Sequence, residues 1–405
     1  MRRRPVVVTG MGVVSAFGLG LQALEPVFEG RSAIKLHRVG ELPGACEVLA
    51  ARLSSPLPEG LFDRRVGNAD RVTQMAVFAA HEAVGMAGLG LKTIGMLAWG
   101  TGYGGASTLD DAYIRWLFGK QNLAGKVSPL TVPKAMTHAS AAGIAAWFGL
   151  SCPVMTYSCA CASSAVAIGE AMLAIEYGRC EVAIVGGSEA LIVPGVVKAW
   201  EALGALAKPD ADANWRGPFD QQRSGLVLGE GAACLVLESA AHAAQRGAKV
   251  LAKCLGYAQV NDPECVTQPH AAPQMRTMLD ALRHADVGPK QVCYVNAHAT
   301  GTRTGDQSEI DALNAVLQES GALISSTKGA TGHLMGAAGA MEALISIHAL
   351  RTQRCPPNVT LQQRDTEIRF YTPDKPQALP RHGVCLSNSF AFGGTNVSLV
   401  FSTHE

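Results

Sequence analysis

The sequence predicts an α/β protein made of two copies of one strand-and-helix unit packed as a single body. Three observations predict it. Short apolar runs rich in Val and Ile alternate with longer Ala- and Met-rich segments of helical period along all 405 residues. The series that occupies the first half is played again in the second. No Gly/Ser- or Pro-rich linker separates the halves. Buried strands alternating with helices imply largely parallel sheets covered on both faces.

Residues Val6 to Gly18 read as a buried strand and a glycine turn, and Leu21 to Glu29 as a short helix. Gly10 and Gly12 invite a dinucleotide-binding reading, but no third glycine stands at the required offset. Residues 36–70 read as irregular. Val72 to Leu89 is helical in period, Ile94 to Gly105 a strand ending in glycines, and Leu109 to Phe118 a helix carrying aromatics. Pro129 to Pro133 reads as a loop and His138 to Phe148 as a helix. Pro153 to Tyr157 is a strand that turns into a helix from Ser163 onward, and Glu181 to Ser188 is the next strand. Residues 207–224 are polar and loop-like, and Gly229 to Glu238 enters a strand. The second half runs Lys249 to Val260 (strand), Gln274 to Ala285 (helix), Cys293 to His298 (strand) and Asp306 to Gln318 (helix). Leu323 to Thr327 (strand) and Gly336 to Arg351 (helix) follow, and strands Val384 to Ser389 and Val397 to Phe401 close the sheet.

Hydrophobic residues make up 48% and charged residues 17%, the composition of a globular chain with a large core. A formal net charge of +1 gives no electrostatic reason to expect nucleic acid as partner. The eleven cysteines are odd in number and scattered, which reads as reduced thiols in a cytoplasmic protein. Val6 to Val8, behind the basic start, is too short for a signal-peptide core. The apolar run Leu334 to Leu350 contains Glu342 and His348, so it reads as a buried helix rather than a membrane span.

Chemistry centres on Thr156 to Ala171. Cys161 stands where the strand turns into the helix, and the unpaired N–H groups and partial positive charge of a helix start favour a thiolate. The same residues also fit a buried structural cysteine in a small-residue core. Cys159 is a second candidate two positions earlier, but a CxC metal site would need further ligands nearby.

Three later stretches bear on the choice. Tyr294 to Asp306 places His298 at a strand exit, followed by Thr300 and Thr302. Ser325 to Gly336 places Lys328 and His333 at another strand exit. Asn388 to Asn396 is a glycine-rich loop holding Phe390 and Phe392. Each alone has a plain reading: a packed histidine, a surface lysine, a hairpin turn. Taken in order, with Val8 to Val14, Ser128-Pro129, Val132-Pro133 and Arg223 to Gly231, the chain resembles the β-ketoacyl-[acyl-carrier-protein] synthases, a branch of the thiolase-like condensing enzymes. The resemblance covers nearly the whole chain.

The resemblance implies a duplicated thiolase fold, five-layered α-β-α-β-α with two mixed sheets, divided as residues 1–245 with the nucleophile and 246–405 with the histidine pair. It implies that Cys161 is acylated, that His298 and His333 form the active-site pair, and that Lys328 supports them through an ion pair with Glu309. The backbone N–H groups of Cys161 and Phe392 would form an oxyanion hole. Thr300 and Thr302 would meet a pantetheine arm, and Phe390 and Phe392 would gate the acyl pocket. No metal or other cofactor is implied. The partners implied are an acidic acyl carrier protein, docked on Arg64, Arg65 and Arg71, and a second subunit, identical or related. A chain-length-factor-like subunit without activity typically lacks the cysteine, which is present here. A coenzyme A-dependent thiolase uses a different acid/base set. Ala299 and Gly301, Ser164, Tyr157 and Cys159 depart from the common family pattern and hint at a specialised pathway.

Overall fold

The computed structural model describes residues 3–40, 45–54, 56–58, 62–118, 126–208 and 215–403. Among the described residues the first half contributes five strands to the main path of the large sheet: β1 (Val6–Ser15), β2 (Met96–Gly100), β3 (Val154–Tyr157), β4 (Val182–Glu189) and β5 (Gly231–Ser239). The second contributes β6 (Ala252–Asn261), β7 (Val292–Asn296), β8 (Leu323–Ser325), β9 (Val384–Phe390) and β10 (Thr395–Ser402). The first half is ordered β3-β2-β4-β5-β1 and the second β8-β7-β9-β10-β6. One order is the other with each strand replaced by its counterpart, so the duplication is real at the level of topology.

Each half is mixed rather than largely parallel. β3, β2 and β4 run parallel, as do β8, β7 and β9, whereas β5 and β10 are antiparallel to both their neighbours. The reason is plain in the second half. β9 and β10 are joined by the tight turn Ala391 to Gly394, and a tight turn can only join antiparallel strands. A three-residue antiparallel pairing, Val6 to Val8 on Ala252 to Cys254, stitches the two mixed halves at one edge.

Two helices fill the space between the halves: α3 (Ser163–Glu176) and α7 (Ala338–Thr352). They pack on each other and on strands of both halves. Both are buried almost all round, which is why they are Ala- and Gly-rich and show little amphipathic pattern. A side chain at Gly339 would meet the Ala165 Cβ at 2.7 Å, so glycine is what lets the two axes approach. The outer face of the first half is covered by α1 (Arg71–Ala87), and that of the second by α5 (Ala271–His284) with α6 (Arg303–Leu317). The helix α1 begins where Asp70 accepts from Val72 N at 3.0 Å and ends at Gly88 in the left-handed region, φ 61°.

Three local features differ from the sequence reading. Residues 36–70 hold a hairpin, Ile34–Val39 on Cys46–Ala51, whose charged residues conceal its alternation. Thr131–Ala135 is a short helix, not loop. The helix α4 (Pro194–Leu203) is missing from that reading, although Pro194 at its first turn is a start signal. α2 (Ala106–Phe118) lies where the aromatics placed a helix. Among the described residues no helix is long and apolar enough to cross a membrane.

Candidate active site

Cys161 sits in an elbow between β3 and α3. Ala160 is forced to φ 47°, a region non-glycine residues rarely adopt. The Ser163 hydroxyl holds the bend, accepting from Cys159 N at 2.9 Å and donating to Ala160 O at 2.6 Å. Cys161 thereby points into the interior and is only 6% exposed.

Three strand exits of the second half converge on it. His298 lies two residues past β7, and its loop is pinned by two buried carboxylates. Glu309 accepts from His298 N at 2.9 Å, Ala299 N at 2.7 Å and Asn388 Nδ2 at 3.1 Å. Asp306 accepts from Thr300 N and Gly301 N, and from Phe219 N across the site. His333 follows β8, with Nε2 3.0 Å from Cys161 Sγ. The two imidazoles meet edge to face, centroids 5.4 Å apart.

Lys328 is buried beneath the pair. Its ammonium lies 3.5 Å from His298 Nδ1 and is ion-paired to Glu342 of α7. This corrects the expected Lys328–Glu309 pair: the carboxyl oxygens of Glu309 are engaged by the His298 loop and Asn388, and the counter-charge comes from the central helix. A lone carboxylate inside the apolar run Leu334 to Leu350 was the sequence signal for it, because a buried charge needs a partner.

Burial governs the ionisation. It pushes the Cys161 thiol up to about 12; the Lys328 ammonium pulls it down, and the Glu342 and Glu189 carboxylates raise it further. The helix start therefore does not yield a resting thiolate, because removing the sulfur from water outweighs a partial charge. Burial, then Lys328, hold both histidines well below the usual imidazole range, His333 adding to the effect on His298. Both rings are neutral. With an ammonium facing Nδ1, His298 carries its proton on Nε2, toward the site. Burial also raises Glu342, Glu309 and Glu189 to about 7.

The site opens into a cavity of about 430 Å3 lined by Cys161, both histidines, Thr300, Thr302, Phe390 and Phe392. The two threonine hydroxyls lie 3.0 Å apart. Glu189 escaped the sequence reading. It accepts from Gly102 N (2.7 Å), Tyr103 N (3.1 Å) and Gly336 N (2.9 Å), and so ties the exit of β2 to the turn after His333. Nothing in its strand sequence distinguishes it from an edge carboxylate.

Models of the β-ketoacyl synthase N-terminal and C-terminal domains match residues 3–243 and 251–362. The chain belongs to the β-ketoacyl synthase family. It is a condensing acyltransferase with the thiolase-type fold. It is 36% identical to nodulation protein E of Rhizobium meliloti (strain 1021), over 98% of this chain and 99% of that one. It is 34% identical to chloroplastic 3-oxoacyl-[acyl-carrier-protein] synthase I of Arabidopsis thaliana, covering 100% and 87%. A solved β-ketoacyl synthase from Burkholderia phymatum STM815 superposes with TM-score 0.88 at 32% identity, each chain covered 100%. The ishigamide ketosynthase/chain length factor superposes with TM-score 0.90 at 27% identity, with the same coverage.

In this synthase-family chain the ligand atoms of Cys161, His298 and His333 lie within 4.8 Å of one another, a spacing a soft metal would also accept. The adjacent Lys328 ammonium disfavours a second cation there. Of the residues expected to dock a carrier, Arg71 is held by Glu230, with Nη2 2.7 Å and Nε 3.2 Å from its carboxyl, and so has an internal partner. The side chains of Arg64 and Arg65 lie outside the described residues.

Proposed function

We propose that the protein joins a malonyl unit to an acyl chain, both delivered on the phosphopantetheine of an acyl carrier protein, by decarboxylative Claisen condensation. The observation that carries this is the buried Cys161–His333 contact beside neutral His298, in a cavity lined by paired threonines. His333 Nε2–H donates to Sγ, and the Sγ proton passes to the departing pantetheine thiol as sulfur attacks the acyl thioester. The Cys161 and Phe392 N–H groups receive the oxyanion, a contribution of roughly a hundredfold or more per donor. In the second step the malonyl C–C bond breaks and carbon dioxide leaves. The enolate oxygen accepts from His298 Nε2–H and from His333, whose Nδ1 has no hydrogen-bond partner among the described residues, so its ring can hold the proton on Nε2. The carbanion then attacks acyl-Cys161, and the sulfur leaves with both electrons. Nothing beyond the pantetheine is needed as cofactor or metal. Eleven unpaired cysteines support a cytoplasmic setting.

A second reading has the chain serve a specialised pathway beside a non-identical subunit. It is favoured by the similarity to nodulation protein E and to a ketosynthase/chain length factor. Tyr113, Ile114, Trp116 and Leu117 of α2 are exposed, as are Val154 and Met155 on the edge strand β3, and such exposed apolar positions suit either kind of partner. The test is incubation with malonyl-carrier and a panel of acyl-carriers, read by mass spectrometry. A β-ketoacyl product lost in Cys161→Ala supports the reading, and no product from any chain in any subunit combination overturns it. Light scattering of the purified chain, alone and with a candidate partner, separates homodimer from heterodimer.

A further inference from the structure

The helix α4 turns Val197 and Trp200 to the interior. Trp200 is 6% exposed, and its indole stacks on the Phe392 ring with centroids 6.0 Å and planes 25° apart. Both rings line the cavity that holds Cys161 and the two histidines. Leu203 at the helix end, with Gly204 and Ala205 beyond it, continues the same wall. Phe392 is followed by Gly393 and Gly394, both in the left-handed region at φ 80° and 84°. That loop is held by backbone bonds, Gly393 N to Val266 O and Asp262 N to Gly394 O, and the Trp200 stack braces its aromatic side chain against the first half.

Space at the site is short. Ligand pockets commonly measure about 300–1,000 Å3. This cavity of about 430 Å3 lies near the lower end, and it must hold the tip of a pantetheine arm as well as an acyl chain. The positions that depart from the family pattern do not set that limit. The Ser164 hydroxyl is turned to Ala340 N at 2.9 Å, joining the two central helices, and neither it, Tyr157 nor Cys159 lines the cavity.

We propose that Trp200 sets the acyl-chain limit: its indole, braced on Phe392, closes the wall beside acyl-Cys161 and selects short acyl chains against long ones. This rests on the condensing reaction proposed above and names its substrate class. A longer chain must displace a packed aromatic pair. In an apolar pocket a single methylene that does or does not fit changes kcat/KM by about 10- to 200-fold.

The experiment presents butanoyl-, octanoyl- and dodecanoyl-carrier to the full chain and measures formation of acyl-Cys161 by intact-protein mass spectrometry. The wild type is expected to prefer butanoyl over dodecanoyl by about 10-fold or more in kcat/KM. Trp200→Ala should move that ratio toward dodecanoyl by a similar factor, with Trp200→Phe in between. Thermal melts establish that each variant is folded; where Trp200→Ala is not, Trp200→Leu takes its place. The proposal is overturned if the wild type loads dodecanoyl as readily as butanoyl, or if a folded Ala or Leu variant leaves the ratio unchanged. Absence of acyl-Cys161 from every acyl chain, with and without a candidate partner subunit, is a different result, and it overturns the condensing reaction itself.

Discussion

Lys328→Ala separates what the buried lysine does for the fold from what it does for His298. The ammonium and its partner Glu342 are both buried, at 2% and 3% exposure. Removing one member leaves an uncompensated charge, which costs roughly 3–5 kcal/mol. At about 2.1 cal/mol/K per residue, a chain of 405 residues has an unfolding entropy near 0.85 kcal/mol/K, so the melting temperature should fall by roughly 4–6 °C. The same change frees His298 Nδ1 from the ammonium at 3.5 Å, and the ring loses both its orientation and its tautomer. Misplacement of that order costs about 100-fold in rate. The assay is release of carbon dioxide from malonyl-carrier, beside a thermal melt. The double variant Lys328→Met/Glu342→Leu is the decisive one. Replacing a buried pair with apolar groups of similar volume is often neutral for stability, so its melt should return to within about 2 °C of wild type while decarboxylation stays about 100-fold low. Recovery of decarboxylation in the double variant would refute a positioning role and leave Lys328 as part of the core alone.

Four further expectations can be checked with the same protein. Cys161→Ala should abolish condensation but keep carbon dioxide release from malonyl-carrier, since the enolate is held by the histidines; equal loss of both activities would place the sulfur in the decarboxylation step. With the Cys161 thiol at about 12, alkylation by iodoacetamide should climb about tenfold per pH unit from pH 7 to 10; a plateau below pH 8 would mean that the helix start outweighs burial after all. The same shift carries a stability sign. Unfolded, the thiol ionises near 8.5; folded, it holds its proton to about 12. Stability is therefore unaffected by this group below about pH 8.5 and falls as pH rises through the interval, by up to about 1.4 kcal/mol per pH unit. Denaturant titrations at pH 8 and 10 should show a smaller loss for Cys161→Ala than for wild type, and an equal loss would falsify the linkage. Asp70→Ala removes the cap on Val72 N and the bonds to Thr108 N and Oγ1, at 2.8 and 2.7 Å, and should cost about 1–2 kcal/mol in the same titration without touching the site.

Legibility followed the range of the interactions. Elements whose evidence is local were readable: the strands around Val6, Val182 and Cys293, and the helices from Arg71, Ser163 and Ala338. So were the motif residues Cys161, His298, Lys328 and His333, because each stands at a strand exit within a distinctive run. The hairpin at Ile34–Val39 was not, since its pairing with Cys46–Ala51 is seen only across strands. Glu342 was visible as a misplaced charge, but its pairing was not, because Glu309 and Glu342 are both plausible partners for Lys328 until the layers are stacked.

By itself the sequence determined the alternation of strand and helix, the doubled α/β plan, the family pattern and the chemical groups of the site. Those depend on residue type and spacing along the chain. Only the tertiary structure decided which carboxylate faces Lys328 and which pins the His298 loop. It alone also decided that Cys161 rests as a thiol, and that Trp200 stacks behind Phe392. Each of these depends on what lies across a layer boundary and on how completely water is excluded. Desolvation and side-chain contact are properties of the packed body, and no stretch of the chain carries them alone.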